Sequence, residues 1–182
     1  MFLDCYNNRG LAKYGLHNYK GALEDYNKAI SINEKYANAY YNMGLANDML
    51  SNYYDEIGNY SKYVNLEPND PIGYSKRAEA KYSLEDYKSA IEDFDIAISL
   101  DSNFIGAYFD RGLSKQKLND FKGAIEDYSK AITLEPKFAD AYNNRGYTKH
   151  LLNDDTGACA DFKKALALGS ENAAGNISKY CK

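Results

Sequence analysis

The residues that could carry out chemistry are few and widely spaced in this sequence. The two histidines, His17 and His150, are far apart, and neither has the nearby Cys and Asp that would indicate nucleophilic catalysis. Glu–Asp dipeptides recur at residues 24–25, 92–93 and 126–127. We expect them on a solvated helix face, where carboxylates lack the shifted pKa values that acid–base catalysis needs. We therefore predict a protein that is not an enzyme and that uses no cofactor and no metal.

Four arginines form the most regular charged pattern. They are separated by multiples of 34 residues: Arg9, Arg77, Arg111 and Arg145. Such a column could bind phosphate groups, since guanidinium matches phosphate geometry. The simpler interpretation is structural, with each arginine spanning neighbouring repeats and pairing with local acids. The fixed spacing favours the structural role.

Composition excludes several classes of protein. The 182 residues carry a net charge of −4, which argues against a general nucleic-acid binder, because that would need a basic stripe. No apolar run approaches the ~18 residues of a membrane span. The first residues do not show the charged start and apolar core of a signal peptide. The three cysteines are an odd number without metal-ligand spacing, so we expect no disulfide framework. We expect Cys5 and Cys159 to pack in the core and Cys181 to be exposed. Free cysteines and the lack of an export signal favour a cytoplasmic location.

The elements that must position these residues repeat with a period of 34. A tyrosine recurs at the same place in every unit: Tyr6, Tyr40, Tyr74, Tyr108 and Tyr142. A small residue follows it four positions later: Gly10, Gly44, Ala78, Gly112 and Gly146. Five units follow: 3–36, 37–70, 71–104, 105–138 and 139–172. We number the positions in each unit from 1 to 34.

Helical spacing divides each unit into two helices. Positions 4, 8 and 11 share one helix face, and positions 20, 24 and 27 share another. An Asn or Asp at position 16 is a predicted N-cap for the second helix: Asn18, Asn52, Asp86, Asp120 and Asp154. A glycine inside a helix costs roughly 1 kcal/mol relative to alanine. We therefore expect the small residues to allow two helix backbones to approach closely, with the aromatic residues of positions 4 and 24 around the contact.

This pattern resembles the tetratricopeptide repeat (TPR), and the resemblance covers residues 3–172. It implies an all-α fold, a right-handed α-solenoid of five helix-turn-helix units. The last residues, 173–182, are expected to form a C-terminal capping helix that Ser170 could cap, with Ile177, Tyr180 and Cys181 covering the fifth unit. The resemblance also implies a concave groove lined by the first helices.

The residues expected in that groove are rich in amides and aromatic rings. They are Asn7, Asn8, Tyr14, Tyr41, Asn42, Lys76, Tyr82, Phe109, Asn143, Asn144, Tyr147 and His150. Amides can pair with both the N–H and the C=O of an extended backbone, and tyrosine offers contact area with a polar tip. The alternative is that these are simply solvated helix residues. Of the carboxylate clamp that some TPR domains use to hold acidic C-termini, only Asn42 and Lys76 match, so a full clamp is not expected.

We predict a protein-interaction scaffold that binds a partner peptide in this groove. An alternative is a self-assembly module that forms a homo-oligomer through its uncapped first unit. A third possibility is an adaptor within a larger protein. The second unit departs from the pattern, with Glu56 at position 20 and Tyr63 at position 27. Either its neighbours accommodate these side chains, or its second helix shifts outward and opens a pocket.

Overall fold

The computed structural model describes residues 2–181, and within that range it contains eleven α-helices and no strand, as predicted. The helices are α1 Phe2–Gly15, α2 Tyr19–Ile32, α3 Ala37–Asp48, α4 Tyr53–Leu66, α5 Pro71–Ser83, α6 Tyr87–Leu100, α7 Ile105–Lys117, α8 Phe121–Leu134, α9 Ala139–Leu151, α10 Asp155–Ala167 and α11 Glu171–Tyr180.

Two compact units divide between Leu100 and Asp101. Unit 1 contains three helix pairs, α1–α2, α3–α4 and α5–α6, joined by contacts of α2 with α3 and of α4 with α5. Unit 2 contains the pairs α7–α8 and α9–α10, and α11 packs on α10 and α9. We call these helix pairs 1 to 5. Sequential stacking of this kind is the arrangement of an α-solenoid.

The turn inside each pair is set by two adjacent residues. The first has a left-handed backbone, with φ between 57° and 63° at His17, Ser51, Glu85, Asn119 and Asn153. The second is the predicted N-cap: the Asn18 side chain accepts the Gly21 N–H at 3.0 Å, and Asp86, Asp120 and Asp154 do the same in their pairs. Pair 2 differs, because Asn52 makes no such bond and instead donates to Asn47 at 3.5 Å.

The small residues of the first helices lie against aromatic rings of the second helices. A Cβ on Gly10 would lie 2.5 Å from the Tyr26 ring, and a Cβ on Gly44 would lie 2.5 Å from the Tyr60 ring. Side chains at these glycines would therefore collide with the largest residues of the core. The predicted close approach is present, but the group that needs the space is chiefly the ring of position 24 rather than a second backbone.

The helices of pair 2 are not displaced. A Cβ on Gly112 of pair 4 would lie 2.7 Å from its aromatic partner, so pair 2, at 2.5 Å, is packed at least as closely. Tyr63 is accommodated because its ring lies against Gly73 of α5 and its hydroxyl donates to Asp70. The interpretation that neighbours accommodate Glu56 and Tyr63 is the one that fits this packing.

A disulfide joins Cys159 of α10 to Cys181, with 5.6 Å between their Cα atoms, so the expectation that the cysteines are free was wrong for these two. The pairing arises because α11 folds back along α10, which a count of cysteines does not reveal. Cys5 is free and exposed, not part of the core. Two of the three cysteines that favoured a cytoplasmic location are therefore not free.

Among the residues that the structure describes, no helix has the length and apolar character needed to cross a membrane.

Candidate functional site

The groove residues predicted in unit 1 lie on its three first helices, α1, α3 and α5, which together form what we call the first-helix face. Asn42 of α3 donates to Asn7 of α1 at 2.9 Å, and this bond links two neighbouring pairs. Asn7 is buried, whereas Asn8 beside it is exposed. Asn7 therefore holds the face together, and Asn8 is accessible on α1.

Tyr14, Tyr41 and Lys76 come from three different helices and influence one another electrostatically. Burial raises the pKa of the Tyr14 hydroxyl, Asp48 adds to the effect, and the Lys76 ammonium opposes it. Burial likewise raises the pKa of Tyr41, again opposed by Lys76. We call Tyr14, Tyr41, Asn42 and Lys76 the unit-1 patch. The fold thus brings together four predicted site residues that are up to 62 positions apart in the sequence.

Lys76 is held in place by an ion pair. Its Nζ lies 2.6 Å from a carboxylate oxygen of Glu79, one turn further along α5. Burial disfavours the charged form of Lys76, but the hydrogen bond to Glu79 and the charges of Glu79 and Asp48 together outweigh this effect, so the pKa of Lys76 is raised. The lysine is therefore a fixed cation on the face.

Glu56 lies buried behind the patch, with 3% of its surface exposed and its Oε2 atom without a hydrogen-bond partner. Burial, with the nearby carboxylates of Asp48 on α3 and Glu79 on α5, raises the pKa of Glu56 to about 8, although Lys76 opposes the shift. The hydroxyl of Tyr60, one turn along α4, is also buried without a partner. In the sequence, Glu56 stands out as a departure from the packing pattern, and a carboxylate in a column of alanines also indicates an unusual ionisable group.

Two of the predicted aromatic residues of unit 1, Tyr41 and Tyr82, pack against other rings. Tyr41 is half-buried, and its ring centroid lies 5.8 Å from that of Tyr60 and 5.2 Å from that of Tyr63. The Tyr82 ring lies 5.2 Å from Tyr87 of α6. Tyr41 therefore offers only part of its surface to a ligand.

The predicted residues of unit 2 are largely engaged by neighbouring side chains and backbone. Asn143 accepts a hydrogen bond from Asn176 of α11 at 2.8 Å, and Asn144 donates to the Asp140 carbonyl. His150 Nδ1 lies 2.6 Å from Asp155 Oδ1, while the His150 ring lies 4.2 Å from the Tyr180 ring.

The two remaining predicted residues of unit 2 are aromatic. The Phe109 ring lies 4.8 Å from Phe138, and Tyr147 is partly exposed beside Tyr180. Because α11 contacts Asn143, Tyr147 and His150, unit 1 offers the more open site.

The arginine column forms ion pairs with buried aspartates in four of the five helix pairs. Each guanidinium makes two hydrogen bonds to an aspartate on the second helix, as Arg77 does to Asp93 at 2.7 and 2.8 Å. A lysine four residues after the arginine, such as Lys81, bonds the same aspartate. The structural interpretation of the arginines fits this geometry, and a phosphate ladder does not, because the guanidinium groups are already engaged.

The expectation that the Glu–Asp dipeptides are solvated was wrong for their aspartates. Asp25, Asp93 and Asp127 are buried, and each is the acceptor of an arginine and a lysine. The Arg9 guanidinium, together with Lys13, holds the pKa of Asp25 well below its usual range. The period of 34 contained this signal, since an aspartate recurs 16 residues after each arginine.

These features define an all-α repeat protein of stacked helix pairs. Two sequence models match it: one described as TPR repeat, over residues 10–50 and 116–153, and one described as tetratricopeptide repeat, over residues 139–171. The chain belongs to the tetratricopeptide repeat proteins, a class of protein-interaction scaffolds.

Solved structures agree with the fold. A crystal structure of MamA, 24% identical, superposes with a TM-score of 0.84 over 94% of this chain and 97% of that chain. A MamA fragment from Desulfovibrio magneticus RS-1, 20% identical, gives a TM-score of 0.86 over 91% and 94% of the two chains. YrrB, described as a TPR protein with an unusual peptide-binding site, is 21% identical and gives 0.82 over 96% and 90%. At these identities the likeness concerns the fold. A comparison with curated protein sequences gave no match.

Proposed function

We propose that this protein is a non-catalytic scaffold that binds an extended or helical segment of a partner polypeptide along the first-helix face of unit 1. The observation that carries the proposal is the unit-1 patch. Tyr14 of α1, Tyr41 of α3 and Lys76 of α5 lie close enough to influence one another's pKa, and Asn42 follows Tyr41 on α3. YrrB, a protein of the same fold with a peptide-binding site, supports the proposal by analogy only.

The chemistry of the patch favours a polypeptide ligand of mixed character. Tyrosine rings supply contact area with little loss of side-chain entropy. Asn42 uses one N–H for Asn7 and retains other donor and acceptor capacity for a peptide backbone. The ammonium of Lys76 pairs with Glu79 and has further N–H donors for a carbonyl or carboxylate oxygen of the ligand.

Selection from a random peptide library on the immobilised protein tests this proposal. Selected peptides, measured by fluorescence anisotropy, are expected to lose at least tenfold in affinity to the variant Tyr14→Ala with Lys76→Ala. Lys88→Ala, which removes an exposed lysine from α6, is the control and is expected to bind as the wild type does. Equal affinity for wild type and the double variant would refute the proposal.

A second candidate function is self-association through α1. Three large apolar side chains of the first helix and the turn after it are exposed: Phe2 by 74%, Leu11 by 43% and Leu16 by 79%. Contact with a second copy would bury them. Light scattering over a hundredfold range of concentration tests this: a dimer that dissociates in Leu11→Glu supports it, and a monomer at every concentration excludes it.

A further inference from the structure

Pair 2 is the one helix pair in which the arginine is missing. Its counterpart is Met43, and the lysine and aspartate that complete the ion pairs elsewhere are replaced by Asn47 and Asn59. The tyrosine of position 4 is kept, as Tyr40. Pair 2 therefore retains the ring on which an arginine packs elsewhere but has no guanidinium of its own.

The other four pairs show how a guanidinium occupies this place. In each, the arginine lies over the ring of the tyrosine three residues before it, with 5.3 to 5.6 Å from the guanidinium carbon to the ring centroid. Arg77 also donates to Ser61 on the second helix of the preceding pair, and Arg145 donates to Ser129 in the same way. In these two pairs the arginine side chain thus bridges two successive second helices.

In pair 2 the crevice between two such helices, α2 and α4, is open. A cavity of about 520 Å³ lies between α2, α3 and α4, with Tyr40 and Met43 among its lining residues. Three amides line it as well: Asn27 of α2, Asn47 of α3 and Asn59 of α4. Neither Glu56 nor Tyr63 lines it, so the cavity comes from the missing arginine and not from the substitutions noted in the sequence.

The lining matches a guanidinium better than other side chains. Five N–H donors in a fixed plane can reach several amide oxygens at once. An apolar side chain would cover the same amides without satisfying them. Tyr54, with 81% of its surface exposed, stands at the rim and offers a second aromatic face.

The charges around the crevice also accommodate a cation. Asp55 and Lys62 both line it and balance each other. Lys62 corresponds to Lys28 and Lys130, each of which shares a tyrosine ring with an arginine in its own pair. A lysine at this position is therefore compatible with a guanidinium on the same ring.

We infer that the crevice of pair 2 is a binding site for an arginine side chain supplied by a partner polypeptide, which takes the place of the arginine that the chain itself lacks. The guanidinium would lie over Tyr40 and donate to the side-chain oxygens of Asn47 and Asn59. None of the four residues of the unit-1 patch lines the crevice, so this site does not depend on them.

NMR titration of the full chain with Nα-acetyl-arginine amide tests the inference. Saturable shifts are expected at the side-chain amides of Asn27, Asn47 and Asn59. The matched citrulline and lysine compounds, which lack the charge or the planar fork, are expected to bind at least tenfold more weakly. No saturable shift with the arginine compound, or equal shifts with all three, would overturn it.

Two variants complete the experiment. Met43→Arg with Asn59→Asp restores the missing ion pair within the chain, so the arginine compound should no longer bind. Met49→Arg with Asn65→Asp makes the same changes at exposed positions outside the cavity and should leave binding unchanged. Tyr54→Ala, whose exposed side chain contributes little to folding, should weaken binding about threefold or more. Undiminished binding to the Met43→Arg double variant would refute the site.

Discussion

Glu56 shows how a single buried side chain links stability to pH. In the unfolded chain its carboxyl has the ordinary pKa of 4.5, whereas in the folded protein the pKa is raised to about 8 by burial and by Asp48 and Glu79. Between these values the folded state binds more protons than the unfolded state, so the free energy of unfolding falls as pH rises. The stabilising contribution is complete below about pH 4.5 and is lost as pH passes through 8.

We therefore expect the free energy of unfolding to fall by up to about 1.4 kcal/mol per pH unit between pH 5 and 8. Glu56→Gln, which cannot ionise, should flatten this slope. Urea denaturation followed by circular dichroism at several pH values measures it, with Glu92→Gln on the exposed side of α6 as the control. An unchanged slope in Glu56→Gln would show that Glu56 does not cause the dependence.

At the scale of the element, the ion pairs fix how the two helices of a pair meet. Asp93 is buried and is the shared acceptor of Arg77 and Lys81. Removing one partner of such a set leaves uncompensated charge in the interior, which typically costs about 3 to 5 kcal/mol. Replacing the whole set costs less, because no charge is then left without a partner.

Pair 2 provides the sequence for a direct test, since it carries Met, Asn and Asn at these three positions. Asp93→Asn alone is expected to lower the free energy of unfolding by about 3 kcal/mol. The triple variant Arg77→Met, Lys81→Asn and Asp93→Asn, which copies pair 2, should lose less than that. Urea denaturation compares the two; a triple variant as unstable as the single one would contradict this account of the ion pairs.

The disulfide acts on one helix, α11. It joins α10 to Cys181 at the end of α11, and a cross-link over a loop of this size typically contributes about 3 kcal/mol. Cys181→Ser is expected to speed hydrogen exchange of the α11 amides and to leave those of α7 unchanged. Cys5→Ser, which removes the free and exposed cysteine, is the control. Unchanged exchange in α11 would mean that its packing on α9 and α10 is sufficient alone.

At the scale of the whole molecule, the sequence predicted the architecture better than the sites. The period of 34, the small residues of position 8 and the caps of position 16 each depend on local geometry, and they placed the paired helices correctly. The Cys159–Cys181 bond depends on how α11 folds back, which no local pattern encodes. The burial of Asp25 and Asp93 was missed, although an aspartate 16 residues after each arginine indicates an ion pair between the two helices of a unit.

The division into two units predicts where the chain can be shortened. All residues of the unit-1 patch and of the crevice of pair 2 lie before Leu100, within three helix pairs. A fragment of residues 1–100 is therefore expected to fold cooperatively and to bind the arginine compound as the full chain does.

A fragment of residues 1–66 lacks α5, which exposes Tyr63 and Val64 where they pack against Gly73. Its melting temperature should be several degrees lower, since burying such side chains contributes about 1.5 to 3 kcal/mol each. Thermal denaturation followed by circular dichroism compares the two fragments; equal stability, or an unfolded longer fragment, would show that the helix pairs of unit 1 do not support one another in this way.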